Sequence, residues 1–271
     1  MIFYFSGTGN SKWVAETVAH EFDDRLVFIP DALKNNQYTY TLDPGEKLGF
    51  IFPCYAWGVP TFIADFICKL NITVRLVQHT HRPVQEPPQN LKIPYLYYIA
   101  TCGDDTGSMC EEFCNIVQKK GWECHLGYDI IMPESYICLP GFNTDTNEKE
   151  RKKITQAKQK LNAAIDDVLD QRKGIFNVVP GGFKNVKSII LRGAFNKWLM
   201  TPQYFHVNEQ CIGCGECENQ CPFRNIHLVD GAPQWGSDCV MCLRCYHSCV
   251  THAIEWGRYT KNKGQYLFRS L

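Results

Sequence analysis

Short runs of apolar residues alternate along the first part of the chain with segments whose apolar positions recur every three or four residues. Apolar runs of this length, bounded by turn residues, are typical of buried strands. Five of them lie at 2–5, 26–29, 48–52, 94–100 and 124–131. The longest segment with a helical period runs from 148 to 172. Strands that alternate with helices predict an α/β fold, in which helices cover both faces of a doubly wound, five-stranded parallel sheet.

Two segments break this alternation. Residues 71–92 are rich in proline and predict an irregular insertion. Residues 174–205 contain basic residues and no acidic one, while their apolar residues recur at roughly helical spacing. The basic residues are Lys184, Lys187, Arg192 and Lys197. We interpret this segment as a basic amphipathic connector that packs two domains together, in preference to a membrane or partner surface.

These patterns divide the chain into four parts. An α/β domain at 1–173 is followed by the connector at 174–205, a cysteine-rich domain at 206–258 and a short tail at 259–271. Acidic residues outnumber arginines in the cysteine-rich domain, whereas the connector and the tail are basic. Opposite charges of this kind favour docking between an acidic and a basic surface, with ordinary solvated surface as the alternative.

Composition narrows the class of protein. Of the 271 residues 45% are hydrophobic, and 28 basic side chains balance 28 acidic ones. A chain without net charge gives no reason to expect a nucleic-acid partner. The first residues lack the basic stretch of a secretory signal, and no apolar run approaches the ~20 residues that a membrane span needs. We therefore expect a cytoplasmic protein without a membrane span.

Cysteine usage is the strongest chemical signal. The chain has 15 cysteines, and an odd number argues against a fully paired disulfide framework. In a reducing compartment, dense cysteine more often indicates metal. Eight cysteines form two runs, Cys211-x2-Cys214-x2-Cys217-x3-Cys221 and Cys239-x2-Cys242-x2-Cys245-x3-Cys249. Each cysteine of the second run lies 28 positions after its counterpart in the first, so the runs are an internal repeat.

The spacing within each run suits an iron–sulfur cubane. Three thiolates at C-x2-C-x2-C wrap one cluster in a tight turn, and a fourth must come from elsewhere. Zinc prefers two C-x2-C pairs separated by a longer loop, so zinc is the less favoured alternative. The second run has Met241 and Leu243 where the first has Gly213 and Gly215, and Val250 instead of proline follows its last cysteine. We expect the two sites to differ in redox potential.

A glycine- and hydroxyl-rich loop, Ser6-Gly7-Thr8-Gly9-Asn10-Ser11, joins the first predicted strand to the first helix. Its hydroxyls and the first helical N–H groups point at one place, which suits a phosphate group. The spacing matches neither a Walker A loop nor a dinucleotide fingerprint. Loops 53–60 and 101–107 follow the third and fourth strands, and the carboxyl ends of parallel strands meet at one edge of the sheet. Tyr55 or Trp57 is suited to stack on a planar ring there.

The three loops resemble, in the same order, the phosphate loop and the two isoalloxazine loops of flavodoxins. The cysteine runs resemble those of bacterial two-cluster ferredoxins. Nearly the whole chain is similar to fusions of a flavodoxin-like domain with such a small α+β ferredoxin domain, as found in anaerobes. The resemblance implies FMN and two [4Fe–4S] clusters as cofactors.

The resemblance also implies which residues bind the cofactors. Contacts to FMN are implied for Ser6, Thr8, Gly9, Asn10, Ser11, Pro53, Tyr55, Ala56, Trp57, Gly58, Thr101, Cys102, Gly103 and Asp104. One cluster is implied to bind Cys211, Cys214, Cys217 and Cys249, and the other Cys239, Cys242, Cys245 and Cys221. In this arrangement each run gives its fourth cysteine to the other run's cluster. The third loop lacks the aromatic residue that many flavodoxins place on the outer face of the flavin, which leaves room for the ferredoxin domain or a partner.

The expected function is electron transfer between FMN and the two clusters, with redox proteins as donor and acceptor. One alternative is a flavin-dependent reductase of a small substrate, supplied with electrons by the clusters. Another is a non-catalytic redox-assembly subunit. No residue is predicted to act as acid, base or nucleophile. Cys110 and Cys114 lie one helical turn apart without a third ligand near them in sequence, and Cys54 and Cys102 fall in the flavin loops, so ordinary thiols are expected at all four.

Overall fold

The computed structural model describes residues 1–75, 93–183 and 186–268. The strands of its N-terminal part are β1 (Ile2–Tyr4), β2 (Leu26–Phe28), β3 (Thr39–Leu42), β4 (Leu48–Pro53), β5 (Asn71–Val74), β6 (Leu96–Cys102), β7 (Leu126–Ile131) and β8 (Ile175–Asn177). Six of them form a parallel sheet in the order β2-β1-β4-β6-β7-β8. The remaining two, β3 and β5, pair with each other in a small sheet.

Helices cover both faces of the six-stranded sheet. They are α1 (Asn10–Phe22), α2 (Ile29–Lys34), α3 (Thr61–Lys69), α4 (Met109–Lys119) and α5 (Asn147–Leu169). Phe50 of the sheet packs with Phe66 and Phe113 in an apolar cluster on one face. Ile99 packs with Leu161 and others in a second cluster on the opposite face. Strands buried on both faces in this way are continuous apolar runs, which is why the sequence reveals them.

The predicted parallel α/β sheet is confirmed, but the prediction of five strands is wrong. The sixth strand, β8, lies at the start of the segment interpreted as the connector and pairs with β7. It has three residues, and the last two are exposed, so it leaves no apolar pattern. Of the predicted insertion at 71–92, the first residues form β5, and 76–92 lie outside the described residues.

A small strand-rich region follows the sheet. A π-helical segment (Val186–Leu191) leads into α6 (Arg192–Trp198) and a 3₁₀ turn (Pro202–Tyr204). The later elements are β9 (Phe205–Val207), α7 (Glu216–Asn219), β10 (Ile226–Val229), β11 (Ala232–Trp235), α8 (Arg244–Ser248) and β12 (Ile254–Trp256). Two antiparallel pairs, β10 with β11 and β9 with β12, enclose the cysteine runs. Within the described residues, no helix has the length and apolar character needed to cross a bilayer.

The two cysteine runs follow the same backbone path. Gly213 and Gly215 have φ of 63° and 78°, and their counterparts Met241 and Leu243 have φ of 54° and 59°. A left-handed conformation is ordinary for glycine and costs roughly 1 kcal/mol or more for other residues. Met241 and Leu243 adopt it with both side chains buried. The repeat is therefore structural as well as sequential, and its second half retains the turn despite an unfavourable backbone geometry.

Candidate functional site

A cavity of about 370 Å³ lies at the carboxyl ends of β1, β4 and β6, where the three predicted loops converge. Its lining includes most of the residues expected to contact a flavin: Ser6, Thr8, Asn10, Ser11, Pro53, Tyr55, Ala56, Trp57, Thr101, Cys102, Gly103 and Asp104. Gly9 and Gly58, also expected there, do not line the cavity. Gly9 has φ of 103° at the start of α1, and Gly58 packs beside Arg192.

Hydrogen bonds fix the loop after β1. The backbone N–H of Gly9 donates to Ser6 Oγ at 3.1 Å, and the Ser11 and Thr101 hydroxyls share a hydrogen bond of 2.8 Å. The Asn10 amide donates to the carbonyl of Pro133 at 3.1 Å. The first two residues of α1 thus lie on the cavity wall. A helix N-terminus beside hydroxyl groups is suited to bind an anionic group.

The loop after β4 is a tight turn in an unfavourable conformation. Tyr55 and Gly58 donate backbone N–H groups to each other's carbonyls, both at 3.1 Å. Between them, Ala56 and Trp57 both have positive φ, 46° and 59°. This is the geometry of a type I′ turn, which Asn and Gly normally occupy. Residues held in such a conformation cluster at functional sites, so the turn marks this side of the cavity.

The connector packs on this turn through its cations. Lys187 forms an ion pair with Asp105, and its ammonium group lies 5.8 Å from the centroid of the Trp57 ring. Arg192 pairs with Glu112 and donates to the carbonyl of Val59 at 2.7 Å. A cation above an indole face fixes both groups, which sets the orientation of the ring.

Several cavity residues lie outside the three predicted loops. They are Pro133, Glu134, Ser135, Tyr136, Leu139 and Phe142 after β7, Lys187, Phe195 and Met200 of the connector, and Met241, Cys242 and Leu243 of the second cysteine run. Tyr136 forms an aromatic wall with Phe142 and Phe195, each with centroids 5.5 Å from it. The loop after β7 also begins at the carboxyl end of a parallel strand. The argument that placed the other three loops at one edge of the sheet therefore predicts this loop there as well. Nothing in the sequence indicates the contacts of the connector.

Glu134 is a half-buried carboxyl on this wall. It accepts backbone N–H groups from Ser135 at 2.9 Å and Tyr136 at 2.7 Å. Burial raises the pKa of Glu134, while these two bonds and Lys153 act in the opposite direction. Gly103 lies against its carboxylate, so closely that any side chain at position 103 would displace it. The cavity therefore contains a group able to hold or release a proton, which no sequence pattern singles out.

Eight cysteines line two small cavities in sets of four. The outer cysteine set is Cys211, Cys214, Cys217 and Cys249, and the inner cysteine set is Cys221, Cys239, Cys242 and Cys245. Each set contains three cysteines of one run and the last cysteine of the other. The exchanged sulfurs have matching partners, because Asn225 N–H donates to Cys221 Sγ at 3.3 Å and Ala253 N–H to Cys249 Sγ at 3.2 Å. Backbone donors of this kind stabilise thiolate charge and tune cluster potential.

These sets fit a cubane better than a single ion. Among the described residues, no three His, Cys, Asp or Glu side chains come close enough together to hold one metal ion. In a cubane each cysteine ligates a different iron, so the sulfurs need not converge on one point. Burial raises the pKa of Cys239 to about 11 and of Cys242 to about 12, so metal loading would release their protons. The assignment of individual ligands remains a prediction.

The inner cysteine set adjoins the larger cavity. Cys242 and Leu243 line both the larger cavity and the cavity of the inner set. A Cβ atom at Gly7 would lie 2.5 Å from the carbonyl oxygen of Cys242, so the two loops touch through their backbones. Arg244 donates to the carbonyl of Gly7 at 3.4 Å. Phe223 packs against the apolar cluster of the sheet on the same side.

The last described residues return to the loop after β1. Tyr266 donates its hydroxyl to Asn10 Oδ1 at 2.6 Å, and the backbone N–H of Phe268 donates to the carbonyl of Thr8 at 2.8 Å. The Phe268 ring stacks on Trp13 with centroids 5.3 Å apart. The segment interpreted from sequence as a tail thus supports the candidate anion-binding loop.

Four of the remaining thiols, those of Cys54, Cys102, Cys110 and Cys114, have local partners. Cys54 donates to the carbonyl of Thr106 at 3.8 Å, and Cys102 has carbonyl partners of its own. Hydrogen bonding to Cys114, together with burial, raises the pKa of Cys110. Cys114 also hydrogen-bonds Cys124, a neighbour that sequence spacing does not reveal. All of these cysteines are free, and burial raises the pKa of Cys54 and of Cys102, which makes those two thiols poor nucleophiles.

Comparison with known proteins identifies one part of the chain. Residues 204–227 match the 4Fe-4S binding domain family, so a ferredoxin-type domain is present there and supports iron–sulfur electron transfer. No curated protein matches the chain. Among solved structures, the Trp repressor binding protein from Bacillus subtilis is similar at 18% identity and a TM-score of 0.36, over 61% of this chain and 96% of that one. Similarity at that level assigns neither fold nor function.

Proposed function

We propose that the chain is an electron-transfer flavoprotein that binds FMN in the cavity of about 370 Å³ and two [4Fe–4S] clusters at the inner and outer cysteine sets. Electrons pass between the flavin and the inner cluster, and between the inner and outer clusters. The flavin domain would comprise 1–173, as expected from sequence, together with β8 (Ile175–Asn177), which completes its sheet, and the cluster domain would comprise 206–258.

The order of the strands supports a flavodoxin-like arrangement with one added strand. Leaving out β3 and β5, the sheet reads 2-1-3-4-5-6 from one edge to the other. In doubly wound sheets of order 2-1-3-4-5, FMN binds where the order reverses, between the first and third strands. Loops 6–11 and 53–60 begin at those two strands, and both line the cavity. The first suits a phosphate, and the second presents Trp57 to a planar ring.

The cavity has the chemistry that FMN needs. Its lining combines the hydroxyl-bearing residues Ser6, Thr8 and Ser11, at and before the start of α1, with the aromatic residues Tyr55, Trp57, Tyr136, Phe142 and Phe195. FMN accepts or donates one or two electrons, whereas a cluster carries one. The chain's own residues hold the cofactors close together and restrict the access of water. Glu134 adds a half-buried carboxyl that can hold a proton at the wall.

One observation carries the proposal: Cys242 and Leu243 border both cavities. A ligand of the inner cluster would therefore form part of the flavin's surroundings, with no intervening layer of side chains. The outer set is linked to the inner set by the exchange of Cys221 and Cys249, and its Cys214 is exposed. A chain that used its clusters only for stability would not need a ligand shared in this way.

Anaerobic reconstitution with iron, sulfide and FMN tests the proposal. We expect about eight iron and eight sulfide per chain for two cubanes, together with one FMN. Substoichiometric dithionite should then distribute electrons between flavin and clusters, as followed by visible absorbance and EPR. Cys242→Ser should lower iron by about half and stop electron flow to the flavin. Cys68→Ser, at an exposed thiol that lines neither cavity, is the matched control and should change nothing.

Other results would replace the proposal. Iron and sulfide without any flavin would favour a non-catalytic assembly subunit. Steady reduction of a small molecule, with reduced ferredoxin as electron source, would favour the flavin-dependent reductase.

A further inference from the structure

The two halves of the cysteine repeat present the same surface to different surroundings. Val240, in the second run, packs against the apolar cluster of the sheet. Its counterpart 28 positions earlier is Ile212, whose side chain is 67% exposed. Pro222 precedes Phe223, which packs on that apolar cluster, and the counterpart of Pro222 is Val250, 71% exposed. The surface that the inner half buries against its own chain is thus uncovered at the outer half.

The cavity of the outer cysteine set connects this exposed surface to the cluster site. Ile212 lies on its wall between Cys211 and Cys214, and Cys214 itself is exposed. Val250 directly follows Cys249, another cysteine of that set. Large aliphatic side chains this exposed, next to the same site, are typical of an interaction surface.

The two halves of the repeat also differ in the charge of their side chains. Arg244 at the inner half is bound to the Gln220 amide and contacts the loop after β1. Its counterpart 28 positions earlier is Glu216, which lines the outer cavity. Residues 206–223 also contain Glu209 and Glu218 but no lysine or arginine. The uncovered surface is therefore apolar beside Glu216 on the cavity wall, with Glu209 and Glu218 in the same segment, and a complementary partner has an apolar centre with basic residues around it.

We infer that the surface around Ile212 and Val250 docks a one-electron carrier protein whose exposed redox centre is ringed by lysine or arginine. This inference rests on the proposed function. In the docked complex one electron passes between the partner's centre and the outer cluster, so one is oxidised as the other is reduced. No bond is formed or broken and no proton moves. The inner half packs on the sheet, next to the proposed flavin site, with residues whose counterparts the outer half offers to the partner.

Titration of the anaerobic, cluster-loaded protein with a basic c-type cytochrome tests the inference, because lysines ring the haem edge of such a cytochrome. Calorimetry gives the Kd, and cytochrome absorbance gives the rate of its reduction. Ile212→Ser and Val250→Ser should each raise Kd about fivefold, and Glu209→Lys should raise Kd and flatten its dependence on salt. Leu169→Ser, at a half-exposed leucine of α5, should leave Kd unchanged.

The inference is overturned if Ile212→Ser and Val250→Ser bind like the unaltered chain, or if Leu169→Ser weakens binding as much as they do. Equal affinity for an acidic plant-type ferredoxin overturns it as well. The flavin content of the same sample distinguishes this outcome from failure of the proposed function. A sample with clusters but no flavin that still binds the cytochrome with these variant effects would support the docking surface alone.

Discussion

The inner and outer cysteine sets share a backbone path and differ in what surrounds them. At the inner set the positions that are glycine in the first run carry Met241 and Leu243, and both side chains are buried beside the larger cavity. At the outer set the same positions remain Gly213 and Gly215. A repeat can thus keep its cysteine spacing and its left-handed turn while the residues between the cysteines change with their surroundings.

The contact between the inner run and the loop after β1 gives the largest expected effect. Gly7→Ala places a methyl group 2.5 Å from the carbonyl oxygen of Cys242, and backbone cannot move aside as a flexible side chain can. Overpacking of this kind costs about 1–3 kcal/mol. We expect iron content to be retained and electron transfer from clusters to flavin to slow by about tenfold or more, measured by stopped flow.

Gly182→Ala is the control for that substitution, because a Cβ atom added at Gly182 would have no other atom within 4 Å. It should leave the rate unchanged. An unaltered rate in Gly7→Ala would show that the two backbones need not touch for electrons to pass.

Alanine at two matched positions of the repeat separates the contribution of side-chain burial to the free energy of unfolding from the contribution of backbone conformation. Leu243→Ala removes a buried side chain and should lower the free energy of unfolding by about 3 kcal/mol. Gly215→Ala, at φ of 78° with only a Leu228 methyl nearby, should cost about 1 kcal/mol from the left-handed backbone alone. Denaturant unfolding of the cluster-loaded protein measures both. Equal losses in the free energy of unfolding for the two variants would show that side-chain burial does not distinguish the inner half from the outer half.

A buried carboxyl group of β7, that of Asp129, should make stability depend on pH. Asp129 is fully buried and accepts hydrogen bonds from Thr106 at 2.6 Å and Val179 at 2.9 Å, while its other oxygen has no hydrogen-bond partner among the described residues. Burial raises the pKa of Asp129 above its ordinary 3.8. The folded state therefore binds this proton more tightly than the unfolded state does. Its stabilising contribution is present below pH 3.8 and is lost as pH rises through the folded pKa.

Asp129→Asn keeps an oxygen acceptor without the charge, and should raise Tm at pH 7–8 by a few degrees, about 1 kcal/mol, with less change at low pH. Thermal melts across pH measure this. Asp230→Asn, at an exposed aspartate of the outer side, is the control and should show no pH-dependent difference. A parallel shift of the whole curve in Asp129→Asn would mean that the carboxylate is not the titrating group.

The smallest effect is expected at the last residues. Tyr266→Phe removes the hydrogen bond to Asn10 and should weaken FMN binding by about 1 kcal/mol, with iron content unchanged. Flavin fluorescence titration measures the change. Tyr259→Phe, at an exposed tyrosine, should bind FMN like the unaltered chain. A lower iron content with unchanged FMN binding in Tyr266→Phe would show that this segment supports the cysteine-rich region and not the loop after β1.

The sequence predicts well those features that depend on residues close together in the chain or on the regular geometry of a parallel sheet. The cysteine repeat is a matter of spacing, and the loops at 6–11, 53–60 and 101–107 meet because parallel strands end at a common edge. The strand β8 is too short to show a pattern. Contacts such as Lys187 with Asp105, or Tyr266 with Asn10, join residues far apart in the chain, and isolated polar residues of this kind leave no periodic signal.

Glu134 shows the same limit at the site itself. Its surroundings depend on Gly103, on a different strand end, and a single glutamate in a loop is indistinguishable from a solvated one until the fold is known. The type I′ turn at Ala56 and Trp57 is likewise hidden, since neither residue is one that favours positive φ.

The return of the last residues to the loop after β1 has a consequence for synthesis on the ribosome. Phe268 contacts Thr8 and Trp13, which are translated long before it. Domains generally fold from the N-terminal side as the chain emerges, so the sheet can form while the loop after β1 still lacks this support. The contacts of that loop are completed only after Phe268 has emerged, and we expect a chain truncated before Tyr266 to bind the proposed FMN less tightly.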